Sequence, residues 1–165
     1  MSLDGYIAGP DGDIDWIVMD PDIDFDALFA EFDTAVMGRK TFLATQQGGG
    51  GAVPGLAVVV YSRTLDPADH PGVSVVSGDP AESVRSLKER AGKDIWLFGG
   101  GELFRVLLDA GLVDTVEPAV VPVLLGGGVP MLPRPAARTR LSLTAHRRFP
   151  KSGILLLEYA VSREL

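Results

Sequence analysis

The sequence predicts an α/β fold in which strands and helices alternate before a β-rich tail closes the chain. Three observations predict it. Leu56–Tyr61 and Ile95–Phe98 are continuous apolar runs, the composition of strands buried on both faces of a parallel sheet. Other segments repeat apolar residues at the helical spacing of three and four. Beyond Gly111 the strand-like stretches succeed one another with no helix between them, which favours antiparallel pairing. One domain is expected over residues 1–165, because the Gly and Pro clusters sit inside units too small to fold alone.

Ser2–Ala8 reads as a short strand entering a loop at Gly9-Pro10-Asp11-Gly12. Asp22–Phe32 carries Phe25, Leu28, Phe29 and Phe32 on one helical face, with Asp22 or Asp24 as its cap. Thr34–Met37 is a short buried strand, and Gly38 opens a helix to about Thr45. Gly48–Gly51 with Ala52-Val53-Pro54-Gly55 is a surface loop by composition. After the strand Leu56–Tyr61, Val73–Val76 supplies another. Asp79 or Pro80 then starts a helix to about Ala91, with Gly92 as its stop. The strand Ile95–Phe98 breaks at three glycines, and Glu102–Ala110 is a helix ended by Gly111. Thr115–Leu124, Arg140–Phe149 and Ile154–Val161 complete the chain as strands, with Pro118 expected to force an edge or a bulge.

Composition narrows the function classes. The 165 residues contain no cysteine, which excludes a disulfide scaffold, a thiolate metal site and a cysteine nucleophile. A net charge of -7 with no evident basic patch argues against nucleic acid as a partner. No apolar run approaches a membrane span and the N-terminus lacks signal-peptide shape, so a cytoplasmic protein is expected. No metal site is expected, since His70 and His146 are far apart in sequence and lack ligand spacing.

Gly99-Gly100-Gly101-Glu102-Leu103 joins a strand to a helix, where bare backbone and free N–H groups attract phosphate. The alternative is a tight turn that needs positive φ. Gly38-Arg39-Lys40-Thr41 sets two cations at a helix start, where they oppose the helix dipole unless an anion sits nearby. Ser62-Arg63-Thr64 offers two hydroxyls and a guanidinium, a set suited to a phosphate monoester. Three such loops at the carboxyl ends of strands in one sheet point to a phosphorylated dinucleotide. Carboxylates are abundant: eight aspartates crowd Asp4–Asp26, and most are solvated or capping. Trp16 is either a core plug or a ring over a substrate.

These residues together resemble the dihydrofolate reductase-like superfamily. They are most similar to the C-terminal reductase domain of riboflavin-biosynthesis deaminase-reductases and its stand-alone relatives. The segments that carry the resemblance are Ser2–Ala8, Met37–Thr41, Ser62–Leu65, Gly99–Leu103 and Pro122-Val123-Leu124-Leu125-Gly126-Gly127-Gly128. The resemblance implies a three-layer α/β/α fold, its central sheet mostly parallel with an antiparallel C-terminal strand. It implies NADPH as hydride donor, with Ile7 and Ala8 beside the nicotinamide. Gly38, Arg39, Lys40 and Thr41 would cradle phosphate, Ser62, Arg63 and Thr64 would meet the 2′-phosphate, and Gly99, Gly100, Gly101, Glu102 and Leu103 the pyrophosphate. Asp4 and Trp16 would border substrate, and Asp22 or Asp24 would stand where a catalytic carboxylate follows that tryptophan.

The chain opens almost directly on Ser2-Leu3-Asp4, so either the first strand is short or the sequence begins late. Without cysteines there is no cytidine-deaminase-type zinc motif, so a bifunctional enzyme is not expected. The expected activity is hydride transfer to a C=N or C=O bond of a small pteridine-, pyrimidine- or ribosylamino-type substrate. The alternatives are a non-catalytic NADPH-binding protein or a reductase with a flavin or deazaflavin donor. A homodimer is expected, because Val116–Leu125 and Ile154–Leu157 are apolar stretches without covering helices.

Overall fold

The computed structural model describes residues 1–47 and 55–162, so the glycine loop expected at Gly48–Pro54 lies outside the described residues. The chain forms two compact units, one of residues 24–110 and one of residues 1–23 with 111–165.

The first unit holds a parallel sheet of four strands: β2 (Phe32–Gly38), β3 (Ala57–Tyr61), β4 (Ser74–Val76) and β5 (Asp94–Gly99), in the order β4-β3-β2-β5. Parallel pairing sets residues of one face side by side, Ala35 against Val58 and Trp96, and Met37 against Val60. Helix α2 (Arg39–Gln47) covers that face, burying Phe42 against Ala35, Met37, Val58 and Val60. Helix α1 (Phe25–Ala30) joins it, with Phe29 5.7 Å from Trp96, which also stacks on Phe32 and meets Phe98 edge-on. On the opposite face the Tyr61 hydroxyl donates to Ser83 of α3 (Pro80–Lys88) at 3.0 Å, and α3 packs with α4 (Gly101–Asp109). Helices on both faces explain why these strands read as unbroken apolar runs.

Helix boundaries moved from expectation for local reasons. Helix α1 spans Phe25–Ala30 only, capped by Asp24, whose carboxylate accepts the Ala27 amide at 2.9 Å; Glu31 ends it and Phe32 already belongs to β2. Helix α3 stops at Lys88 rather than Ala91. The chain must turn there so that the Lys93 amide reaches Asp33 at 2.7 Å, and Gly92 lies so close to that carboxylate that a β-carbon would strike it.

The second unit holds β1 (Tyr6–Ala8), which pairs antiparallel with β8 (Val129–Pro130). It also holds an antiparallel sheet in which β10 (Leu155–Ser162) pairs with β9 (Arg140–Arg148), β6 (Thr115–Val116) and β7 (Ala119–Val120). The long strand expected over Thr115–Leu124 is split at Pro118, which has no amide to donate. Its carbonyl still accepts the Leu157 amide at 3.1 Å, so both short strands stay on β10. Val121, Phe149 and Ile154 form this unit's core, with Trp16 and Ile23 packed against it. Antiparallel C-terminal strands therefore accompany the parallel sheet as expected, gathered in a sheet of their own.

Candidate phosphate-binding site

Register fixes where the candidate residues stand. Gly38 pairs with Tyr61 and Met37 with Gly99, so β2, β3 and β5 end level with one another. The three motifs singled out in the sequence leave from that one edge: Arg39-Lys40-Thr41 in the first turn of α2, Ser62-Arg63-Thr64 after β3, and Gly100-Gly101-Glu102-Leu103 at the start of α4.

The geometry there suits an anion. Helix α4 has Gly100 as its N-cap and no side-chain hydrogen bond at that end, so its first N–H groups lack the usual internal partner. Helix α2 has no acidic residue in its first turn and opens on Arg39 and Lys40. Arg39, Lys40 and Arg63 are exposed, and none forms an ion pair within the described residues. Gly99 has φ of 137°, a conformation that disfavours side chains, and the Thr41 hydroxyl lies 3.7 Å from where its β-carbon would be. The Gly99–Gly100 peptide is cis.

Individual roles differ from the sequence picture. The Ser62 hydroxyl oxygen accepts the Thr64 and Leu65 amides at 3.2 and 3.0 Å, so it builds the turn that presents Arg63 and keeps one proton to donate outward. Leu103 is buried, leaving its backbone as the part a ligand could meet. The Glu102 carboxylate pairs with Arg105 at 3.1 Å and complements the dipole of α4, a sign that repels phosphate.

In the other unit, Ile7 and Ala8 sit on β1 as half-buried residues. Asp4 is committed to the backbone: it accepts the Ser2 hydroxyl at 2.7 Å, the Leu125 amide at 3.1 Å and the Gly126 amide at 2.8 Å. The Ser2 hydroxyl first, and then those amides, hold its carboxyl below the ordinary carboxylate range against the opposing effect of burial. This explains the Gly126-Gly127-Gly128 stretch, for which sequence chemistry gave no reason. Gly126 turns at φ of 72°, and a β-carbon on Gly128 would strike the Ala8 carbonyl. Trp16 packs on the Val121, Phe149, Ile154 core and its Nε1 donates to the Asp13 carbonyl at 3.2 Å, so its role as a plug is real.

Neither proposed catalytic carboxylate stands free. Asp22 pairs with Lys151 at 2.7 Å and Asp24 caps α1. Sequence reasoning missed Asp20, which is buried; among eight neighbouring aspartates nothing in the pattern marks it. Among the described residues, no group of His, Asp and Glu could hold a metal ion and no helix is long and apolar enough to cross a membrane. A cavity of about 310 Å³ lies at the opposite, amino-terminal edge of the parallel sheet, beside Asp33 and Arg90, away from these motifs.

A parallel sheet covered on both faces, with glycine-rich and basic loops at its carboxyl edge, defines a doubly wound α/β class of protein. Within that class, the chain belongs to the RibD C-terminal domain family, whose sequence profile matches residues 1–155. It is 33% identical over 171 aligned residues to the uncharacterised protein YyaP of Bacillus subtilis, covering 96% of this chain and 90% of that one. It is 30% identical to the riboflavin biosynthesis protein RibD of Mycobacterium tuberculosis, over 78% of this chain and 42% of that longer protein. A crystal structure from Shewanella sp. PV-4, described as that of a "putative riboflavin biosynthesis protein", superimposes with a TM-score of 0.84 at 26% identity, covering 99% and 96% of the two chains. The fold is thus the one that this structure shows.

Proposed function

We propose that the chain is an NADPH-dependent reductase acting on a small pyrimidine- or pteridine-type substrate, working as a single functional domain. The observation that carries this reading is the set of cations, Arg39, Lys40 and Arg63, that have no ion-pair partner among the described residues and stand at the same sheet edge as the uncapped start of α4. A nucleotide bearing several phosphates resolves both features at once, since cations at one helix start and free N–H groups at another each need an anion. The donor set therefore fits the cofactor. Arg63 and Thr64, with the outward proton of Ser62, would hold the 2′-phosphate, while Lys40, Thr41 and the amides of Gly100, Gly101 and Glu102 would hold the remaining phosphates.

When bound, NADPH supplies the hydride. The chain's own work is to fix the cofactor through its phosphates, keep side chains away from the Gly99 turn, and offer substrate an apolar surface around Ile7, Ala8 and Trp16. Asp4, Asp22 and Asp24 are each occupied by amides or a lysine. The proton is therefore proposed to come from an ordered water. Thermotoga maritima has a fold relative at 20% identity described as a deaminase and 5-amino-6-(5-phosphoribosylamino)uracil reductase, which makes that compound a first probe substrate. Incubating the protein with NADPH and this probe, and separately with dihydrofolate, should consume NADPH in at least one case. Tight NADPH binding with no oxidation by either would favour a non-catalytic binding protein.

A further inference from the structure

Asp20 is the one fully buried charged residue among those described, at 2% exposure. Its two carboxylate oxygens serve two different segments. Oδ1 accepts the Asp22 amide at 2.9 Å within its own loop, and Oδ2 accepts the Ser152 amide at 2.8 Å in the turn between β9 and β10. Two exposed links run beside it: Lys151 Nζ to Asp22 Oδ1 at 2.7 Å, and Arg147 to the Asp22 carbonyl at 3.3 Å. Arg147 also lies over the Phe149 ring at 4.6 Å, and Phe149 belongs to the cluster that receives Trp16 and Ile23.

These links are unequal. The Asp22–Lys151 pair is solvated, and such pairs constrain little. A buried carboxylate that satisfies two amides is different, because removing it leaves both donors without a partner. Between Trp16 and Asp20 the chain exposes Ile17, Val18 and Met19, apolar side chains that the fold does not bury.

We propose that Asp20 is a positioning residue: it fixes Trp16 and the exposed Ile17–Met19 edge against the β9–β10 turn, and so shapes the surface offered to a flat heterocyclic substrate. The substrate class rests on the reductase reading above; the anchoring does not. Asp20 transfers no proton, because every donor aimed at it stabilises its charged form.

The test uses the full chain with Trp96→Phe, which leaves Trp16 as the sole tryptophan of the two. Asp20→Asn keeps the shape of the side chain but presents an NH₂ where one amide needs an acceptor. Acrylamide quenching of Trp16 should rise about twofold or more, as local opening exposes the ring, while the thermal shift produced by NADPH stays that of the parent. Asp22→Asn should leave Trp16 quenching unchanged. Unchanged quenching in Asp20→Asn overturns the proposal. Should Asp20→Asn fail to fold, acid titration of the parent replaces it, with Asp22, Lys151 and Arg147 as the charged groups around Asp20. Release of Trp16 below the ordinary carboxylate range must then persist in Asp22→Asn; a step that vanishes with Asp22 assigns the anchor to the exposed pair and overturns the proposal. If the parent itself ignores NADPH, the reductase reading falls while the Trp16 result stands.

Discussion

The Thr41 hydroxyl of α2 lies 3.7 Å from the point where a β-carbon on Gly99 would sit. Two of the three phosphate-type motifs thus approach each other across the ends of β2 and β5, although 58 positions separate the two residues in sequence.

Side chains should be excluded at this turn. Gly99→Ala must adopt φ of 137°, a strain of about 1–3 kcal/mol for a residue with a β-carbon. Gly100→Val should abolish NADPH binding while leaving the protein folded, because its side chain would enter the space assigned to pyrophosphate. Circular dichroism with a cofactor titration checks both. Normal NADPH affinity in Gly100→Val would reduce the loop to a simple turn.

Arg63 should read the 2′-phosphate. Arg63→Ala is expected to weaken NADPH binding by about 1.5–3 kcal/mol, the range for a charged hydrogen bond, and to affect NADH far less. Calorimetric titration of both cofactors measures the difference. Equal losses would remove Arg63 from that role.

Acid should loosen the fold through identifiable carboxylates. Hydrogen bonds hold Asp4, Asp20 and Asp33 below the ordinary value of 3.8, chiefly from the Ser2 hydroxyl, the Ser152 hydroxyl and the Lys93 amide respectively. A depressed folded pKa means the unfolded chain binds protons first as pH falls. Their contribution is therefore complete above the ordinary carboxylate value and declines below 3.8, vanishing once pH has passed through the lower folded values. Denaturant melts between neutral pH and pH near 3 should show this decline, and Asp4→Asn should make it shallower. An unchanged slope in that variant would mean that Asp4 does not couple protonation to folding.

Self-association is expected on revised grounds. Val116, Val121 and Ile154, apolar residues that seemed from sequence to need a partner, are buried within the chain itself. Exposure persists at Leu124 in the stretch Val116–Leu125 and at Leu155 of β10 in the stretch Ile154–Leu157, and it extends along β9, where every residue is open to solvent and Leu141 and Leu143 are exposed. We propose a homodimer burying more than about 1,000 Å² in total. Sedimentation at micromolar concentration should give twice the chain mass, and Leu143→Asp should halve it. A monomeric parent would leave β9 as a solvent-facing edge guarded by Arg140, Arg147 and Arg148.

Legibility in the sequence followed the range of the interactions. Leu56–Tyr61 and Ile95–Phe98 announced buried parallel strands because covering both faces demands apolar residues at every position. The residues that gather at the carboxyl edge of the sheet stood out locally too, since Arg39 and Lys40 conflict with their own helix and glycines gather at Gly99–Gly101. Tertiary commitments were not legible. Nothing local distinguishes Asp20, bonded to Ser152, from Asp22, paired with Lys151, or shows that Asp4 serves the Leu125–Gly126 backbone. These partners lie more than a hundred residues away in sequence, beyond what any pattern in Asp4–Asp26 can record. Pro118 was legible as a break, but only the register of β10 showed one partner strand serving both halves.

The central claim is a site built for NADPH, and thermal unfolding with a cofactor panel tests it most directly. NADPH at a hundred times its dissociation constant should stabilise the protein by about 2.7 kcal/mol, with NADH, FMN and a deazaflavin at the same concentration giving smaller shifts. No shift with NADPH, or a larger one with FMN or the deazaflavin, would contradict it.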